Sequence, residues 1–217
     1  PVSGEIIAIV RGERRRLLNI VVKADKQQVY KDFGTLDADA MNREDALNLL
    51  LESGLFAFIM QRPYDVVATP TDKPKAIFIS AFSKMPLAAD FSFVVKGNED
   101  AFKKGMNLLS KLATTHLGIS PEQVEASFIP VRDVEVSVFS GPNPAGNVGV
   151  QINHVSPVNK GEIVWTLDPN VVVMIGKLLE TGHAELTRRI AVAGSLVSDP
   201  QYVETKIGAP LAHVLRG

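Results

Sequence analysis

The chain has 217 residues, 46% of them hydrophobic and 22% charged, with a net charge of −1 at pH 7, enough to bury a stable core in one large domain or in a medium domain with smaller pieces attached. The near-neutral balance lacks the basic excess of a nucleic-acid footprint. The longest apolar stretch, Leu47 to Met60, is broken by Asn48, Glu52, Ser53 and Gly54, so no segment reaches the roughly 20 apolar residues of a spanning helix.

Cysteine is absent, which excludes disulfides, thiolate zinc sites, Cys-ligated iron–sulfur clusters and cysteine nucleophiles within this chain. The first residue is Pro rather than Met, and no charged-then-apolar leader of the secretory type opens the chain. A fragment of a longer protein is therefore expected.

In chain order, two alternating β-branched runs, Glu5 to Val10 and Leu17 to Val22, flank a turn at Arg11-Gly12-Glu13 and predict a hairpin. A lone hairpin is marginal in water, so it is expected to pack against further strands or the next domain. Arg14, Arg15 and Arg16 are read as a solvated strand entrance rather than an anion site.

The segment MNREDALNLLLESGLFAFI predicts a helix with Ala46, Leu47, Leu50 and Leu51 on one face and Gly54 just past its end. MQRPYDVVATPTDKP reads as a loop, and Ala76 to Ala81 as a buried parallel strand. A second helix is predicted from Glu99 to Thr115, with Gly118 beyond it. VEVSVF and EIVWTL read as strands, and Asp168-Pro169 as an N-cap and first helical residue opening a helix through Leu179 that Gly182 closes. This alternation implies a layered α/β core over roughly Tyr30 to Thr187. Short strands around a Ser198-Asp199-Pro200 turn then begin a third, small β unit.

The turn SGPNPAGNVGV has the glycine spacing of a phosphate loop, Gly141 to Gly146, but Asn147-Val148 stand where Lys and Ser/Thr belong. Pro142 and Pro144 remove two backbone donors as well. The turn is read as rigid structure between two strands. No G-x-G-x-x-G occurs, so a dinucleotide fingerprint is unsupported.

His116, His154, His183 and His213 form no metal-binding pair and are read mostly as surface or capping residues. Ser80, Ser83 and Ser140 lack a G-x-S-x-G setting. The segment Phe56 to Tyr64 is richer, with three aromatics, a Met and an Arg in nine residues. Such a mixture suits a flat apolar ring carrying oxygens, and core packing of Phe56 and Phe58 is the competing reading.

Together PVSGEIIAIVRGERRRLL, LLESGLFAFIMQRPYD, KAIFISAFSKMPLAAD, FSGPNPAGNVGVQINHVSPVNKGEIVW and RRIAVAGSLVSDPQYVETKIGA resemble the A subunit of the bacterial sodium-translocating NADH:quinone reductase, along essentially the whole chain. The resemblance implies a peripheral subunit on the cytoplasmic face of the inner membrane, in a six-subunit pump that passes electrons from NADH to ubiquinone or menaquinone and exports Na⁺. It implies a barrel-sandwich hairpin region over residues 1–28, a Rossmann-like α/β core over 29–188 with a degenerate flavin site, and the start of a β-grasp (SLBB-like) element over 189–217.

The family is in turn similar to the flavin-binding subunit of respiratory complex I and to the C subunit of the Rnf complex. There a G-R-G-G-A-G-F-P run wraps FMN at the position of Gly54 to Pro63, where this chain has Leu55, Phe56, Ala57, Phe58, Ile59, Met60 and Gln61. Bulky side chains replace the glycines that admit a phosphate. A flavin fold without its flavin is expected, with NADH, FAD, FMN and 2Fe-2S sites on other subunits. The A subunit of this family is linked to quinone binding, and the composition and position of this loop single out Phe58, Arg62, Pro63 and Tyr64 as the candidates, with no family motif behind them. Arg62 would donate to a quinone carbonyl while Phe58 and Tyr64 stack on the ring. The other expectation is a docking scaffold with no ligand.

Overall fold

The structure is a computed structural model that describes residues 2–130 and 132–215. Strands β1 (Gly4–Arg11) and β2 (Leu17–Ala24) form the expected antiparallel hairpin. Its tip is a tight helical turn in which Arg14 and Arg15 take positive φ, near 52° and 62°.

Helix α1 (Arg43–Ser53) starts at a capping box, where the Asn42 side chain accepts from the backbone N–H groups of Glu44 and Asp45 and the Asp45 carboxylate accepts from Asn42 N–H. It ends at Gly54, whose φ of 78° is the left-handed conformation that favours glycine. The buried face is Ala46, Leu49 and Leu50, with Leu47 beside it, whereas Leu51 is exposed. Spacings of three and four from Ala46 fall on Leu49 and Leu50, and Leu51 lies off that stripe.

The MQRPYDVV stretch, expected as a loop, pairs instead as strands β3 (Met60–Arg62) and β4 (Val66–Val67). Strand β5 (Ile77–Ser80) is buried and parallel, as expected. A one-turn helix α2 (Phe91–Val94) precedes α3 (Glu99–Ser110). The sequence reading carried that helix on to Thr115, but Thr115–Ile119 is strand β6, buried along its whole length. A β-branched pair and a histidine at its start end the helix early, and burial on both faces leaves no alternation to read.

Strand β7 (Val134–Val138) comes next. The glycine turn then leads into helix α4 (Val148–Val155), correcting the expectation that it joins two strands. Strand β8 (Val164–Leu167) and helix α5 (Pro169–Thr181) lie where expected. Strands β9 (Thr187–Val192) and β10 (Gln201–Lys206) form a second hairpin, followed by the short helix α6 (Leu211–Val214).

The central sheet runs β4-β3-β8-β5-β6-β7. The four strands β8, β5, β6 and β7 are parallel, while β3 and β4 complete one edge antiparallel. Period-two alternation divides its side chains between two cores. Ile77, Ile79, Leu117 and Trp165 pack with α1, α3 and α5 on one face, and Ala76, Phe78 and Val164 pack with Ile152 of α4 on the other. The fold is thus a mixed α/β structure with helices on both faces of a mixed sheet. Strands β5, β6 and β7 are laid down in one direction, and β8 is then added on the opposite flank of β5. Strand order reverses between β8 and β5, the place where open α/β sheets hold ligands beyond the carboxyl ends of their strands.

Candidate functional site

At that reversal a crevice of about 270 Å³ opens between the chain leaving β5 and the chain leaving β8. Ser80 and Phe82 line it from the first, and Thr166, Leu167, Asp168 and Pro169 from the second. Met60 and Arg62 enter from β3, which the register puts beside β8, Met60 opposite Thr166 and Arg62 opposite Val164.

The glycine turn closes one side. A Cβ on Gly146 would stand 2.7 Å from the Phe82 carbonyl oxygen, so the close approach of turn and β5 needs glycine here. Gln151 on α4 is buried and donates from Nε2 to Ser80 Oγ (2.9 Å) and to the Ala145 carbonyl (3.2 Å), while Ser80 Oγ donates to the Gly146 carbonyl (3.0 Å). SGPNPAGNVGV is therefore held over the sheet end by side chains from both sides. Asn147 caps α4 by accepting from Gly149 N–H at 2.8 Å.

Charge is distributed unevenly. Arg62 Nη2 lies 3.4 Å from Asp65 Oδ1, and the Arg62 side chain is 32% exposed. Its Nε is nevertheless buried, and among the described residues it has no hydrogen-bond partner. Asp168 Oδ1 accepts from Asn170 N–H and from Asn170 Nδ2, both at 2.8 Å, and Pro169 stands at the first helical position. The start of α5 therefore has its donors taken or missing, and a carboxylate sits where an anion would bind.

The four sequence-predicted residues are not gathered in one place. Arg62 lines the crevice. Pro63 and Tyr64 lie on the exposed turn beyond β3, Tyr64 with 81% of its surface free. Phe58 is half-buried against the main core. Leu55, Phe56 and Ile59 are fully enclosed, Phe56 meeting Trp165 edge-on with ring centroids 5.6 Å apart. The Gly54–Pro63 segment thus presents packed side chains where a flavin phosphate would need bare backbone, and it does not fit that group. Among the described residues no three His, Cys, Asp or Glu side chains lie close enough to hold a metal ion, and no helix is long and apolar enough to cross a membrane.

Sequence reasoning missed Thr166, Phe82 and Asp168 as site residues. Their signal was positional, at or just past the ends of AIFIS and VWTL. His116, read as a surface or capping residue, is buried on β6 with its ring stacked on Phe78, centroids 4.5 Å apart and planes 14° from parallel. Its Nδ1 lies 3.3 Å from Glu135 Oε2 without hydrogen-bond alignment. Burial lowers its pKa below the ordinary value, and the Glu135 carboxylate partly opposes that.

Among solved structures, the fold is similar to chains of an NAD⁺-reducing [NiFe]-hydrogenase. The H₂-reduced form matches with a TM-score of 0.55 at 14% identity over 82% of this chain and 42% of that one, the air-oxidized form with 0.54. At that identity the likeness concerns the fold alone. Curated relatives are nearer in sequence, each named as the A subunit of a Na⁺-translocating NADH-quinone reductase. Those of Pseudomonas aeruginosa and Cellvibrio japonicus are 36% and 34% identical over all of this chain and 49% of their own length. That of Yersinia pestis is 34% identical with the same coverage. The chain spans about half the length of the curated relatives it matches. The family model described as the NqrA second alpha/beta domain matches residues 41–184, the stretch that holds the whole central sheet and the crevice, and the chain belongs to that family.

Proposed function

We propose that this chain is part of the A subunit of a Na⁺-translocating NADH:quinone reductase and contributes to quinone binding without a flavin of its own. In this reading it is a peripheral subunit on the cytoplasmic face of the inner membrane. Its partners are the other five subunits, which carry the NADH, FAD, FMN and 2Fe-2S sites. Residues 1–28 belong to a barrel-sandwich region, 29–188 to a Rossmann-like core and 189–217 to the start of a β-grasp element.

One observation carries the quinone assignment: Arg62, its side chain 32% exposed, brings a guanidinium donor to the crevice at the strand-order reversal. A quinone carbonyl is an acceptor for that donor, and the exposed Tyr64 beside it offers an aromatic face. Pro63 fixes the turn between them, and Phe58 acts from within the core wall. Quinone titration of the chain against Arg62→Ala and Tyr64→Ala variants tests this. The expected result is an affinity at least tenfold weaker for Arg62→Ala; equal affinities remove the proposal.

A second reading has the chain dock on other subunits with no ligand, and the uncovered apolar side chains of β1 and β2 favour it. Under that reading no quinone changes the melting temperature, since a ligand that binds the folded state must raise it.

A further inference from the structure

The central sheet ends differently on its two sides. On one side β4 contributes only Val66 and Val67. On the other, β7 is a strand of five residues, Val134–Val138, and among the described residues no further strand lies beyond it. Edges of soluble sheets are ordinarily blunted by lysine, proline, a bulge or a covering loop. The sequence VEVSV has neither lysine nor proline, and its pairing with β6 runs without a shift in register.

The phase of that pairing fixes which backbone groups face outward. Phe139 N–H donates to the Ile119 carbonyl at 2.9 Å, so residue 139 turns its polar groups toward β6. Directions alternate along a strand, so Ser137 and Glu135 do the same, and Val134, Val136 and Val138 turn theirs away from the sheet. Among the described residues no turn or loop backbone bonds to these outward groups. The side chains of the same three valines share the face of Leu117 and Ile119. There Val134 packs against the main core, while Val136 and Val138 are 38% and 53% exposed.

Such a strand is complementary to itself. In an antiparallel pair about a two-fold axis, only an axis at Val136 overlaps all five residues of both strands. That register sets Val136 opposite Val136 of the second copy, Val134 opposite Val138, and Glu135 opposite Ser137. Exposed valines meet valines, and no two charges stand directly opposed. The outward residues are also the ones that this axis places in hydrogen-bonded pairs, each bringing one donor and one acceptor. An axis one residue earlier would set Glu135 against Glu135, a destabilising like-charge pair. With the axis at Val136 the two Glu135 side chains are only diagonal neighbours, roughly 7–8 Å apart.

We propose that β7 is a docking edge for a second copy of this chain, which joins the two central sheets into one across a two-fold axis at Val136. The contact is isologous, the same strand on both sides. Two short strands make a small interface, so the dimer is weak and depends on concentration. β7 lends no residue to the crevice, and this contact is independent of quinone binding.

Cysteine substitution tests the register, because the chain has no cysteine of its own. Val136→Cys meets its own copy with Cα atoms about 5.5 Å apart, inside the range a disulfide spans. Val138→Cys faces Val134 instead, and its own copy lies four residues further along, roughly 13 Å away. Under mild oxidation Val136→Cys is therefore expected to form a disulfide-linked dimer and Val138→Cys to remain single. Chance collision predicts the reverse order, since Val138 is the more exposed of the two. Sedimentation equilibrium of the unsubstituted chain is expected to show a mass that rises with concentration from that of one chain toward that of two. Val136→Lys, which sets two ammonium groups opposite one another, is expected to weaken association at least tenfold, with Trp165 fluorescence verifying that the core is intact.

A single-chain mass at every concentration, crosslinking at position 138 as fast as at 136, or association that survives Val136→Lys overturns the inference. Association lost instead on the double substitution Ile9→Ser, Ile20→Ser assigns the contact to the β1–β2 hairpin and overturns it as well.

Discussion

His116 is held between two unlike neighbours. Register places it beside Phe78 on one strand and Glu135 on the other, so an apolar ring covers one side and a carboxylate approaches the opposite one. Burial outweighs the carboxylate, and the folded state favours the neutral imidazole. The sign of the pH effect follows. The unfolded chain, with its ordinary histidine pKa of 6.5, binds a proton at a higher pH than the folded chain does, so unfolding takes up a proton between the two values. The stability is complete above that ordinary value and is lost as pH falls below it toward the lowered folded value. Glu52, Glu122 and Glu162 also titrate below their ordinary value of 4.5, each drawn down chiefly by a hydrogen bond: from Lys31, from Ser120 and from the Asn159 backbone. They act in a separate, more acidic window. We therefore expect the urea midpoint to fall between pH 7.5 and pH 5.5, and His116→Gln to remove most of that fall. Glu135→Gln, which takes away the opposing charge, should deepen it. A midpoint equally pH-dependent with and without His116 would contradict this assignment.

Helices α3 and α5 cross at glycines. A Cβ on Gly105 would overlap the Val172 carbonyl, and one on Gly176 the Ala101 carbonyl, so each helix uses a missing side chain to seat the other's backbone. The obstacle in both places is main chain, which yields only if a whole helix moves. An alanine in a helix interior normally gains about 1 kcal/mol over glycine. Overpacking of this kind costs about 3 kcal/mol, at the upper end of its usual range. Gly176→Ala should therefore lose about 2 kcal/mol in urea unfolding, and an unchanged or higher midpoint would show that the helices can separate cheaply. The sequence reading saw both helices but had no means of seeing the crossing, because glycine in a helix looks like a weakness until its partner is placed. The strands divide the same way. VEVSVF alternates and AIFISA is bounded by polar residues and prolines, so both were legible. THLGI carries no such mark, and its absence from the reading concealed the parallel run from β5 to β7 and with it the strand-order reversal. The candidate site suffered accordingly. Arg62 was found from composition, whereas Phe82, Thr166 and Asp168 become neighbours only once β8 is known to lie beside β5. Helix α4 was hidden by the two prolines before it, which favour a turn and say nothing of the Asn147 cap that follows.

At the scale of the molecule the two hairpins differ in how they are covered. The β9–β10 pair is tied to the core. Arg189 Nη1 donates to the carbonyls of Phe93, Val94 and Lys96 at 3.1, 3.2 and 3.4 Å, and Asp90 N–H donates to the Tyr202 hydroxyl at 2.9 Å. The Tyr202 ring also lies 4.4 Å from that of Phe93, centroid to centroid. The β1–β2 pair makes its outer hydrogen bonds close by, through Ser3 to Asp25, Gln28 and Val29. Its consecutive residues Ile9 and Val10, regularly paired with Ile20 and Asn19 and so pointing to opposite faces, are 54% and 41% exposed. Both faces therefore hold uncovered apolar side chains, and two strands alone bury too little to be stable in water. The hairpin should consequently unfold before the core and bind an apolar dye in the native chain. Ile9 and Ile20 are cross-strand partners, both more than half exposed. The double substitution Ile9→Ser, Ile20→Ser should reduce dye fluorescence severalfold. Trp165, the one tryptophan of the chain, fully buried on β8 with its ring edge-on to Phe56, reports on the core by itself. Its unfolding midpoint should stay within about 0.5 kcal/mol of the unsubstituted chain, as for a surface change away from the core. A Trp165 transition that moves together with the dye signal would mean that hairpin and core unfold as one cooperative unit.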